Sequence, residues 1–121
     1  MQNRTSSKKY LEKNFPDLLN YKRTTSRMYE KGDKPGYQDS WWFNFTYSDL
    51  QENEFIVFVG ALDYMNKNFK VIKIPSSYIE SNLSKIDMNG KGWINLYLHF
   101  TELIDLRNKP NFLSFKGFEL N

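Results

Sequence analysis

The most legible feature of the chain is a period of two that appears, lapses and returns. Trp41, Phe43, Phe45 and Tyr47 alternate with Trp42, Asn44, Thr46 and Ser48, as a half-buried strand requires. The period returns where Ile94, Leu96, Leu98 and Phe100 oppose Trp93, Asn95, Tyr97 and His99. Phe55-Ile56-Val57-Phe58-Val59 is continuously apolar instead, the mark of a central strand covered on both faces. Phe69–Ile74 reads as a further strand, joined to it by a hairpin connection over Asp63–Asn68.

Helical signals are shorter. Ser48–Glu52 reads as a helical turn with Ser48 placed to cap it. After Pro75, Ser77-Tyr78-Ile79-Glu80 has capping-box spacing, and Ile79, Leu83 and Ile86 form one apolar stripe of a short amphipathic helix. Asn89-Gly90 and Gly92 turn the chain. Leu103, Ile104 and Leu106 suggest a helical turn that Pro110 ends, ahead of Phe112-Leu113-Ser114-Phe115. Residues 1–9 are polar and charged and read as flexible. Tyr10–Phe15 reads as a short helix or an extended lead-in, and Lys22–Gly36, punctuated by Gly32 and Pro35-Gly36, as a loop. Arg4–Tyr10 and Arg23–Tyr29 look alike, but two copies make no solenoid. The sum is a single α+β domain with a mixed or antiparallel sheet of about four strands and one or two short helices.

Composition narrows the chemistry. The 121 residues include no Cys and one His, which removes thiol nucleophiles, zinc–thiolate sites and His-pair metal sites. No phosphate-cradling Gly-rich loop and no nucleophile elbow occurs. Three Trp, eight Tyr and ten Phe supply a core despite a mean hydropathy of −0.69. The longest apolar run falls far short of a membrane span, and the first residues lack the apolar stretch of a signal peptide. These features point to a cytoplasmic protein with no membrane partner.

Charge adds a direction. The formal net charge is +3, but residues 1–36 carry nine basic against four acidic side chains, and residues 37–121 carry eight against ten. Lys22, Arg23, Arg27, Lys31 and Lys34 share a segment with Thr24, Thr25 and Ser26, the cations and hydroxyls that meet phosphate oxygens. Trp42 lies opposite the apolar face of its strand and is the ring placed to stack on an unpaired base. Lys22, Arg23, Thr24, Arg27, Lys31, Lys34 and Trp42 are therefore the candidate nucleic-acid-binding residues. The row Trp93, Asn95, Tyr97 and His99 is a second candidate surface, suited to a homodimer, a protein partner or nucleic acid. Alternatively, the segment around Phe112 and Phe115 covers it. Asp17, Glu30 and Asp33 lie in the basic third, where they would meet a phosphodiester. Asp17, Lys22 and Glu30 are the catalytic candidates of a nuclease, with Mg²⁺ as cofactor only in that case and no cofactor or metal otherwise.

The order Tyr21-Lys22-Arg23-Thr24-Thr25-Ser26, Trp41-Trp42-Phe43-Asn44-Phe45, Phe55-Ile56-Val57-Phe58-Val59 and Ile74-Pro75-Ser76-Ser77 resembles the central part of a PD-(D/E)XK, restriction-endonuclease-like domain over Tyr21–Glu80. The resemblance implies a nuclease-like fold in which Lys22 is the motif lysine. The family's acid-x-Lys would put an acid at position 20, where this chain has Asn20, and no acid-x-Lys occurs anywhere in the sequence. What it implies is therefore a degenerate or truncated relative that keeps phosphate binding at Lys22 without an intact catalytic motif.

Overall fold

A computed structural model describes residues 2–32, 39–107 and 111–121. The expectations placed on Asp33, Lys34, Pro35-Gly36 and Pro110 lie outside the described residues. Along the chain come helix α1 (Gln2–Asn14), a 3₁₀ turn (Pro16–Asn20), strands β1 (Lys22–Ser26) and β2 (Ser40–Thr46), and helix α2 (Tyr47–Glu52). Strands β3 (Phe55–Ala61) and β4 (Phe69–Pro75), helix α3 (Ser76–Ser81), a 3₁₀ turn (Leu83–Lys85), and strands β5 (Asp87–Met88) and β6 (Trp93–His99) complete the order. The class is α+β, as the sequence indicates. The strands divide into two three-stranded sheets, one mixed and one antiparallel, where the sequence suggests a single sheet.

The first sheet has the order β1-β3-β4, with β1 parallel to β3 and β3 antiparallel to β4; the second has the order β2-β6-β5 and is antiparallel. Their inner faces pack on each other. Phe43 of β2 stacks on Phe58 of β3 with centroids 4.6 Å apart, and Phe45 and Phe115 also meet Phe58. Ile56, Ile72, Ile74, Ile94, Leu96 and Leu98 fill the same core. Gly60 is required here. A Cβ on it would lie 2.3 Å from the Trp41 ring, whose Nε1 donates to the Ala61 carbonyl at 2.8 Å.

The opposite face of the first sheet is buried as well. Val57, Val59, Ala61, Phe69 and Val71 pack under Leu11 of α1 and Leu18 of the following turn. That explains the unbroken apolar run of β3. It also corrects the reading of residues 1–9: from Gln2 onward they are helical, with Ser7 and Leu11 fully buried. Its polar sequence, QNRTSSKKYLEKN, hides the helix because so few apolar anchors secure it. The segment Phe118–Asn121 lies along the outer edge of β4. Lys73 N donates to Phe118 O, Leu120 N to Val71 O, and Val71 N to Asn121 Oδ1.

Several local expectations shift. The cap of α2 is Thr46, reciprocated by Asp49, in place of Ser48. No side chain caps α3, because its N-cap position is Pro75, which has no side-chain acceptor; Ser76 bonds Glu54 O and Asn53 O. Ile79 and Ile86 are buried and Leu83 packs beside them, although α3 ends at Ser81. In place of a helical turn, Leu103 takes a left-handed φ of 54°, and Ile104 and Asp105 after it form bridges to Ser114 and Leu98. No helix among the described residues is long and apolar enough to cross a membrane.

Candidate nucleic-acid interface

The basic segment is a strand, not a loop, over Lys22–Ser26. It carries no apolar residue, so periodicity has nothing to detect. Its inward hydroxyls instead close the seam between the sheets. Ser26 Oγ accepts from Trp42 N at 2.8 Å, and Thr24 Oγ1 accepts from Asn44 N at 3.3 Å. Two amides on the open edge of β2 are thus satisfied by side chains, as buried donors must be. Thr24 is buried and its oxygen is committed, which corrects its assignment to a phosphate.

Strand alternation separates the cations. Lys22 shares the face of Thr24 and Ser26, its Nζ 3.9 Å from Asp49. Arg23 points to the other face, against α1. Burial lowers its pKa first, the positive charge of Arg4 second, and Glu12 offsets part of this. Among the described residues neither guanidinium makes an ion pair within 4.0 Å. With Glu12 offsetting the two guanidiniums only in part, the net positive charge left there attracts an anion. Lys8 and Lys9 on α1 are exposed, as is Lys31, whose backbone N–H donates to Asp39.

Arg27 begins a ladder of flat groups. Its guanidinium lies 4.0 Å from the Tyr29 centroid, Tyr29 stacks on Trp42 at 3.9 Å, Trp42 on Tyr97 at 4.7 Å, and Arg107 lies 4.8 Å from the Tyr97 centroid. Each step contributes on the order of 1 kcal/mol. Both faces of Trp42 are covered, so it offers no platform to a base, and this corrects its assignment as the stacking ring. Tyr29 reaches Trp42 because its backbone bridges Ser40. Arg107 is further fixed by Asp87 at 2.8 Å.

The Trp93, Asn95, Tyr97 and His99 row does face outward. The segment around Phe112 and Phe115 does not cover it: Phe115 is buried in the inner core against Phe58 and Tyr78. Tyr97 belongs to the ladder. His99 Nδ1 accepts from Thr101 N and Glu102 N, which gives the ring a turn-forming role. Trp93 is 43% exposed. Asn95 stands between Asn44 and Asp87 in register, a cross-strand row that a linear sequence does not display.

The catalytic candidates do not converge. Asp17 precedes β1, while Glu30 follows its other end and accepts from the Tyr64 hydroxyl. The strand between them spans about 13 Å. Lys22 faces Asp49. No group of three His, Asp or Glu side chains among the described residues could hold a metal ion. One acid that the sequence does not single out is Asp105. It is fully buried; Oδ1 accepts from Tyr97 N and Arg107 N, and Oδ2 has no partner among the described residues. Burial pushes its pKa up, and the two backbone donors offset this in part. No family model, no curated protein and no solved structure matches the chain.

Proposed function

We propose that the protein binds nucleic acid through the basic surface where α1 meets β1. The observation that carries this reading is Arg23 half-buried beside Arg4, with no carboxylate paired to either. A phosphate oxygen would relieve both the like-charge repulsion and the unmet donors of Arg23. Lys8, exposed on α1, adds to the positive field there, whereas Arg27 belongs to the ladder beside Trp42 and Lys22 contributes less because Asp49 offsets it. Such contacts set affinity and not sequence preference. The resemblance to restriction-endonuclease-like domains would then extend to phosphate binding and stop short of hydrolysis, with Asn20 where the metal-binding acid would stand. A cytoplasmic site of action goes with this reading.

The test is fluorescence anisotropy with labelled DNA at stepped salt. Replacing Arg4 and Arg23 together by Ala weakens binding alike for all sequences and makes the log–log salt slope shallower by about 2. An unchanged slope in that double variant rejects the site.

A further inference from the structure

We infer that the outer face of the β2-β6-β5 sheet seats unpaired bases of a single strand, with Trp93 as the stacking ring and Asn44 and Asn95 as groups that read base edges. This rests on the nucleic-acid reading and names the form of the ligand. Trp93 is 43% exposed, and among the described residues no other ring packs on its faces. Two positions along β6, about 7 Å away, Asn95 lies directly across from Asn44 and from Asp87. Neither carboxamide has a hydrogen-bond partner among the described residues, although Asn95 is half-buried. Each can donate and accept at once, which suits the edges of unpaired bases.

The charges on this face favour a polyanion. Arg27 stands at one end of the ladder and Lys91 in the turn leading into Trp93, both outside the ion pairs among the described residues, while Arg107 at the other end is offset by Asp87. The acid on the face, Asp87, is held by Arg107 at 2.8 Å. A duplex keeps its bases stacked inside and cannot bring one over Trp93, whereas a single strand can.

The experiment compares short oligothymidine with a duplex of equal length on the full chain. Single-strand binding is tighter and quenches tryptophan fluorescence, since Trp41 is buried and Trp42 is already sandwiched. Trp93→Ala weakens single-strand binding at least about fivefold and leaves duplex binding unchanged. Trp93→Phe keeps the affinity and loses most of the quench. Asn95→Ala alters the ranking among homopolymers.

Unchanged single-strand affinity in Trp93→Ala, or duplex binding as tight as single-strand binding, overturns the seat. If the Arg4/Arg23 double variant still loses affinity, the broader reading stands while the seat falls. Absence of all binding at low salt ends both. Self-association that Trp93→Ala abolishes assigns the face to a second copy of the chain and also overturns the seat.

Discussion

The two sheets contain equal numbers of strands and meet water in opposite ways. In the β1-β3-β4 sheet, every residue of β3 from Ile56 to Ala61 is buried, under the partner sheet on one side and α1 on the other. In the β2-β6-β5 sheet one face joins the core, while the other carries a ladder of amphipathic rings and guanidiniums whose polar tips bond within the ladder and to its neighbours, Arg107 donating to the Tyr97 hydroxyl and Trp42 Nε1 to Ser40 Oγ. The first sheet is held by the area it removes from water. The second holds its open face by stacking and by charge, and so keeps a surface that a ligand can reach. Exposed chemistry therefore gathers on the second sheet and at the seam, where β1 sends Arg23 toward α1 and Lys22 to the face of the inward hydroxyls of Thr24 and Ser26.

The contrast is broken most severely at Gly60, where the doubly buried strand touches the ring of Trp41 from the other sheet. Gly60→Ala destabilises the fold by about 3 kcal/mol, read as a lower denaturant midpoint in equilibrium unfolding. A variant as stable as the parent would mean that Trp41 can move without cost. A smaller effect is expected at the seam. Ser26→Ala leaves the Trp42 amide without its acceptor and costs about 1 to 2 kcal/mol, and the conservative Ser26→Thr recovers part of it. Equal unfolding midpoints for Ser26→Ala and the parent would show that the sheets do not depend on these hydroxyls.

The smallest effect depends on pH. The buried Asp105 carboxyl has its pKa raised, so the folded chain holds this proton to a higher pH than the unfolded chain does. Its contribution is full below the ordinary carboxylate range and is lost as pH rises through the raised folded value. Asp105→Asn removes that loss. Stability measured from acid to neutral pH should fall more steeply for the parent than for the variant. Parallel profiles would indicate that the carboxylate is compensated in the fold.

The sequence shows the strands whose side chains are sorted by hydrophobicity. β2, β3, β4 and β6 declare themselves through Trp41/Phe43/Phe45, Ile56–Val59, Val71/Ile72/Ile74 and Ile94/Leu96/Leu98. Elements secured by hydrogen bonds or by one or two anchors do not. β1 reads as a loop because its buried positions are Thr24 and Ser26, and the part of α1 before Tyr10 reads as flexible because Leu11 is the helix's principal apolar contact. The candidate site follows the same rule. The concentration of cations was legible, but how they divide between faces was not. Strand alternation sends Arg23 toward Arg4 and Lys22 toward Asp49. Trp42 looks like a free ring until Tyr29, brought in by its bridge to Ser40, and Tyr97, opposite in register, close over it. Trp93 is left as the accessible indole, a result of pairing between distant segments.

The strip Phe118–Asn121 along β4 also bears on how the molecule behaves at high concentration. Phe69-Lys70-Val71-Ile72-Lys73-Ile74 is rich in β-branched residues, and an open edge of that kind invites another chain to add on as a strand. Here Phe118 O and Asn121 Oδ1 receive the outward amides of Lys73 and Val71, while Lys70 and Lys73 interrupt the apolar run with charge. These four residues, of which Phe118 also packs against the core, thus act as a guard against fibrous self-assembly, protecting the strand pair that the rest of the fold is built around.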